Sequence, residues 1–193
     1  MIIGITGGTG SGKTTLLNVL KDAGVLVLDC DAIYHQLLAT SPALLAAIEA
    51  RFPGTVEHGQ LQRKKLGNIV FSDEIALQDL NRITHSAIHA EVLQQLADAP
   101  EHAAIDAVAL IESGMDKLCD VTVAVTAAAD IRIRRLMERD CISAEYAQKR
   151  IDAQPTADWY SSHCDFTLEN NGTQSDFQAK CLAFLRNLGI MKA

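Results

Sequence analysis

The sequence predicts an α/β fold, a parallel sheet covered by helices on both faces. Three observations carry this. Short apolar runs of strand length alternate with segments of helical periodicity. The first run leads through a glycine-rich turn straight into a helix. Between the second and third runs lie roughly sixty residues of helical patterning with no convincing strand.

The first strand is Met1-Ile2-Ile3-Gly4-Ile5-Thr6, a short apolar run rich in isoleucine that reads as a buried strand. Gly7-Gly8-Thr9-Gly10-Ser11-Gly12-Lys13-Thr14-Thr15 follows and fits G-x-x-x-x-G-K-S/T from Gly7 to Thr14. The next helix carries Leu16, Leu17 and Leu20 on one face. Glycines admit positive φ and let the backbone approach an anion. Successive N–H groups then converge at the positive end of a helix dipole. The pattern assigns Gly8, Thr9, Gly10, Ser11, Gly12, Lys13, Thr14 and Thr15 to the phosphates of a nucleoside triphosphate. Lys13 would reach the β- and γ-phosphates, and the Thr14 hydroxyl would ligate Mg²⁺.

Gly24 ends the helix, and Val25-Leu26-Val27-Leu28-Asp29 reads as the second strand. Asp29-Cys30-Asp31 stands at its carboxyl edge, where open α/β sheets bind ligands; a helix N-cap is the competing reading of either carboxylate. Ser41-Pro42 starts a helix that Phe52-Pro53-Gly54 breaks, and 61–70 and 73–97 read as two more. This strandless stretch suits an acceptor-binding insertion, with Arg63, Lys64, His85 and His89 as candidate contacts. Solvated helix faces or hydrogen-bonded core histidines would explain the same residues.

Residues 103–109 read as the third strand, in which Asp106 is placed to orient Mg²⁺ through water. Val121–Val125 forms the fourth and Asp165–Glu169 a weaker fifth, followed by the turn Asn170-Asn171-Gly172 and a helix over 173–188. From Asp130 to Gln154 the chain carries Arg132, Arg134, Arg135, Arg139, Lys149 and Arg150, with Arg132, Arg135 and Arg139 spaced for one helix face. A lid closing on triphosphate needs such arginines. An ordinary charged helix with Glu138, Asp140 and Glu145 as partners is the alternative. Together these elements describe a three-layer P-loop fold with a five-stranded parallel sheet, a helical acceptor-binding insertion and a helical lid. It forms one domain over 1–193, with the core at 1–30, 100–128 and 162–193, the insertion at about 31–99 and the lid at about 129–161.

A net charge of −7 argues against general nucleic-acid binding, so an anionic ligand must be held by local cations. Five cysteines, an odd number without a C-x-x-C pair, suggest neither a disulfide framework nor a zinc site. No run is long enough for a membrane span and no leader precedes the first strand, so a soluble cytoplasmic protein is expected. A GTPase would need an N-K-x-D stretch, and no Asn-Lys pair occurs. A motor ATPase would end its acidic strand in an Asp-Glu pair, whereas Ala107 follows Asp106. A compact small-molecule kinase remains.

The opening motif, Gly24-Val25 and Asp29-Cys30-Asp31 resemble the dephospho-coenzyme A kinase family. The resemblance continues through 66–73, Leu80-Asn81-Arg82-Ile83-Thr84-His85, Ile105-Asp106 to Glu112-Ser113-Gly114, 135–140, 150–154, and Asp165 with Asn170-Asn171-Gly172. The chain departs from the family at Cys30, Ser86, Val108, Arg132 and Cys164. The resemblance implies transfer of the γ-phosphoryl of ATP, with Mg²⁺, to the ribose 3′-hydroxyl of dephospho-coenzyme A. It implies Asp31 as proton acceptor, Asp29 as the residue that orients it or helps to position Mg²⁺, and Lys13 with Arg139 as stabilisers of the transferring group. Asn170 and Gly172 would border adenine through backbone contacts, and Arg63 and His85 would touch the acceptor. The alternatives are a kinase of the same architecture acting on another small acceptor, and a nucleotide-dependent binding protein. A monomer or weak homo-oligomer is expected, without nucleic-acid or membrane partners.

Overall fold

The computed structural model describes residues 1–99 and 101–191. In chain order the elements are β1 (Ile2–Thr6), α1 (Lys13–Asp22), β2 (Leu26–Asp29), α2 (Cys30–Thr40), α3 (Pro42–Arg51), β3 (Val56–Glu57), β4 (Gln60–Leu61), α4 (Arg63–Val70), α5 (Glu74–Ala97) and β5 (Ala103–Asp106). A 3₁₀ turn (Met115–Leu118), β6 (Val121–Thr126), α6 (Ala129–Asp140), α7 (Ala144–Asp152), α8 (Ala157–His163), β7 (Phe166–Glu169) and α9 (Gln174–Asn187) complete the chain. It divides into two compact units, residues 1–28 with 99–193, and residues 29–98.

The first unit is built on a five-stranded sheet in the order β2-β5-β1-β6-β7. β1 pairs in parallel with β5 and β6, and β6 with β7. β1 and β6 are interior strands, so their residues are buried at consecutive positions rather than alternately. Ile3, Ile5, Val123 and Val125 pack against Leu16 and Leu20 of α1 and against Phe177, Cys181, Phe184 and Leu185 of α9. The residues that pack recur at helical spacing in both helices, and this burial drives their docking. Thr173 and Asp176 form a capping box that starts α9. At the amino-terminal edge, Asp165 accepts from Thr122 N–H and from its hydroxyl, both at 2.8 Å, which ties β7 to β6 before their ladder begins. The predicted third strand is shorter than expected, because Val108–Gly114 form turns.

The second unit is helical. Leu38, Leu44, Leu45, Ile48, Phe52, Leu66, Val70 and Ala76 form its core. Three of its helices, α2, α3 and α5, start where short polar side chains satisfy first-turn amides: Asp29 accepts from Ala32 N–H, Ser41 from Leu44 N–H, and Asp73 from Ile75 and Ala76 N–H. The expectation of no strand here is corrected by the β3–β4 hairpin, in which Val56 pairs with Leu61 and Glu57 with Gln60. Strands of two residues carry no readable alternation. The turn uses His58 at φ 53° and Gly59 at φ 73°, a two-residue geometry without the usual Asn-Gly signature. Glu49 braces the loop before it, accepting from Gly54 N–H at 2.6 Å and Val56 N–H at 2.7 Å. Because Gln60 and Leu61 belong to this hairpin, α4 starts at Arg63 rather than at the expected residue 61.

The hydrogen bonds from Thr122 hold the Asp165 carboxyl below its ordinary range. A depressed folded-state value means that its stabilisation is complete above the ordinary carboxylate pKa and is lost as pH falls through the folded value. Asp165→Ala should lower unfolding stability by about 1 kcal/mol at neutral pH. The gap from the parent chain, read from urea midpoints, should close as the medium is acidified through that range; a gap independent of pH would remove the carboxylate from this role.

Candidate active site

The loop between β1 and α1 shapes its own backbone. Gly7, at φ 135°, passes so close to β6 that a Cβ would lie 2.1 Å from the Val125 carbonyl oxygen. Gly12, at φ 102°, caps α1 without a side chain, and a Cβ there would lie 2.1 Å from Asn170 Nδ2.

Each carbonyl from Gly7 to Gly12 is turned towards a donor. Lys13 Nζ donates to Gly7 at 2.7 Å, Ser11 N–H to Gly8 at 3.2 Å, and Arg132 Nε to Thr9 at 2.8 Å. Arg135 Nη1 donates to Gly10 at 3.4 Å and to Ser11 at 3.2 Å, Asn170 Nδ2 to Ser11 at 2.8 Å, and Thr15 N–H to Gly12 at 3.0 Å. In a planar trans peptide the N–H points opposite to the C=O. Turning the carbonyls of Thr9, Ser11 and Gly12 towards protein donors therefore turns the N–H groups of Gly10, Gly12 and Lys13 the other way, onto the concave side of the loop. Convergent amides at the head of a helix form an anion cradle.

Two guanidiniums of α6 stand against this loop. Arg132 is 6% exposed, and Arg135, half-buried, also donates through Nη2 to the Asn170 carbonyl at 3.1 Å and to its Oδ1 at 3.2 Å. Burial pushes both guanidinium pKa values down, yet arginine remains cationic. Among the described residues neither makes an ion pair. Arg139 sits differently. Its Nε and Nη2 donate to Asp140 at 2.7 and 2.9 Å, Arg150 donates to the same carboxylate at 2.6 Å, and the Asp140 carboxyl is held well below its usual range. Of the shared arginine face predicted for α6, the structure brings Arg132 and Arg135 to the loop and leaves Arg139 on Asp140.

Asn170 lies buried, with its side chain on Ser11 and Arg135, while Gly172 forms the exposed turn before α9. Thr14 is exposed in the first turn of α1. Asp106 is half-buried at the carboxyl end of β5, in register with Ile5 one residue before β1 ends. Both offer the hard oxygen atoms that Mg²⁺ takes. Among the described residues no cluster of three or more His, Cys, Asp or Glu groups could hold a metal ion, so an ion here would share phosphate oxygens and water.

The remaining predicted residues belong to the helical unit. Asp29 caps α2 at 3.0 Å from Ala32 N–H, and Asp31 is exposed one residue into that helix. Arg63 Nη2 lies 3.3 Å from His35 Nδ1; the neighbouring Tyr34 phenol is pushed up by burial and drawn back by Arg63. Lys64 is exposed, and His85 and His89 are half-buried on α5. Gln154 was missed by the sequence reading: its Oε1 accepts from Thr9 N–H at 2.7 Å. Its signals in the sequence were its place at the end of the arginine-rich segment and in the 150–154 stretch that carries the family resemblance.

A family model described as dephospho-CoA kinase matches residues 1–176. The chain is 40% identical to a dephospho-CoA kinase of Moorella thermoacetica over 160 residues, covering 79% of this chain and 76% of that one. It is 31% identical to the enzyme so named in Latilactobacillus sakei over 191 residues, covering 96% and 95%. A crystal structure of a Thermus thermophilus protein superposes with a TM-score of 0.81 at 30% identity, covering 97% of each chain. A match of this extent places the protein in the dephospho-CoA kinase family.

Proposed function

We propose that the chain transfers the γ-phosphoryl group of ATP to the ribose 3′-hydroxyl of dephospho-coenzyme A, giving coenzyme A and ADP, the last step of coenzyme A biosynthesis. The observation that supports it best is the loop whose carbonyls are all held by donors, which turns the amides of Gly10 and Gly12 away from those donors and towards a polyphosphate. Residues 8–15 would bind the triphosphate, with the Lys13 ammonium drawn from the Gly7 carbonyl towards the β- and γ-oxygens. Mg²⁺, held by Thr14 and through water by Asp106, would supply charge neutralisation at those oxygens.

A ribose hydroxyl is a poor nucleophile at neutral pH. A carboxylate beside it orients it and accepts its proton late in an in-line transfer. Asp31 takes this role. Asp29, by capping α2, fixes the turn that carries Asp31. Arg139 would exchange its carboxylate partner for the transferring phosphoryl group, one bidentate anion for another. Asn170 and Gly172 border adenine through their backbone, and Arg63 and His85 contact the acceptor. The protein works in the cytoplasm as a monomer or weak homo-oligomer, without nucleic-acid or membrane partners.

ADP release from ATP and Mg²⁺ should depend on dephospho-coenzyme A in a panel of hydroxyl acceptors; dependence on a different acceptor, or on none, would reject the reading. Lys13→Ala should lower kcat/KM by about a hundredfold or more, the scale of losing a charge-stabilising group. Asp31→Asn should lower kcat by about two orders of magnitude with the ATP affinity retained. Near-parent turnover in that variant would take the base role away from Asp31.

A further inference from the structure

Thr9 is held by both of its polar backbone groups. Its carbonyl accepts from Arg132 Nε at 2.8 Å, and its N–H donates to Gln154 Oε1 at 2.7 Å. Arg132 Nη2 closes the triangle by donating to the same Gln154 oxygen at 3.1 Å. Two side chains separated by twenty-two positions thus hold the two peptide groups that flank Thr9 in the phosphate loop.

The grip accounts for a glycine that backbone conformation does not. Gly8 is not among the positive-φ residues. A Cβ there would lie 2.2 Å from Arg132 Nη2 and 2.7 Å from its Cζ, so the guanidinium lies where a side chain would start. Gly10 is crowded by the same residue, with a Cβ falling 3.0 Å from the Arg132 carbonyl oxygen. The acceptors that Arg132 uses, the Thr9 carbonyl and the Gln154 amide, are neutral. Tyr160, the neighbour that acts on it electrostatically, is a buried phenol whose pKa burial pushes up to about 12. A guanidinium in such surroundings keeps its full charge directed at the loop.

We propose that Arg132, braced by Gln154, is a positioning residue for the β- and γ-phosphates of the nucleotide, acting through the Thr9–Gly10 peptide. Nε holds the Thr9 carbonyl away from the cradle, and the Gly10 N–H is thereby held in it. The guanidinium charge adds to the loop's attraction for an anion without touching the adenosine. The proposal rests on the reading of this loop as a nucleotide site.

Binding of ADP and of AMP, measured by calorimetry on the full chain, separates positioning from packing. Arg132→Met should weaken ADP by about tenfold, the scale of one hydrogen bond to a charged group, and leave AMP, which lacks a β-phosphate, at parent affinity. Gln154→Glu keeps the acceptor for Thr9 N–H but sets a carboxylate on Arg132. It should also weaken ADP selectively while leaving the melting temperature at or above that of the parent chain. Equal losses for ADP and AMP, or no loss for ADP, would overturn the proposal; if Arg132→Met does not fold, the Gln154→Glu measurement decides alone. Lys13→Ala separates the two levels: if it leaves ADP binding untouched, the nucleotide reading fails, and if it weakens ADP while the Arg132 and Gln154 variants do not, only the positioning role fails.

Discussion

The orientation of the peptides between Gly7 and Gly12 is the constraint on which the rest of the site depends. A phosphate cradle needs amides on one side, and a free loop would present amides and carbonyls at random. Here the carbonyls are drawn away by donors from α1, from α6 and from the turn after β7. Residues remote in sequence therefore determine the shape of a motif that is entirely local. One junction supports this. Asn170 N–H donates to the Thr126 carbonyl at the end of β6, and Asn171 Oδ1 accepts from Ala128 N–H at the start of α6. The end of the sheet, the loop donor and the arginine helix are thus tied within a few residues.

Charge is sorted in the same region. The chain is acidic overall, yet its arginines are not evenly neutralised. Asp140 collects Arg139 and Arg150, and Glu145 takes Lys149. Arg132 and Arg135 are left to neutral carbonyl and amide oxygens, which satisfy hydrogen bonding but not charge. Desolvated cations without counterions cost stability in an isolated protein. An anionic ligand at the loop would offset that cost, which is a physical reason for a net-negative protein to keep such a cluster.

The helical unit solves a different problem. Its helices α2 and α3 are short, so capping by Asp29 and Ser41 matters more there than propensity, and Asp73 caps the longer α5 in the same way. Asp29 shows how one carboxylate answers to two descriptions. At the carboxyl edge of a strand it reads as a ligand group, and in the structure it stabilises the first turn of α2. A cap also fixes the direction of that turn, so the structural role and the orienting role are compatible.

What the sequence determined by itself was everything governed by near neighbours. The G-x-x-x-x-G-K-T stretch lies between β1 and α1 as read. The five parallel strands stand within a few residues of their expected places, and Ser41-Pro42, Gly24 and Thr173 mark helix ends because capping and backbone freedom act over one turn. Tertiary structure decided what depends on packing across the chain. The β3–β4 hairpin is too short to leave a pattern and is held by Glu49 from the preceding helix. Spacing put Arg132, Arg135 and Arg139 on one face of α6, but burial of Leu136 against Ala147 and Ile151 set how the helix is rotated, and Asp140 retained Arg139. The meeting of Gln154 and Asn170 with residues 9–11 could not be read from order alone, because hydrogen bonds between distant segments exist only once the sheet has brought their ends together.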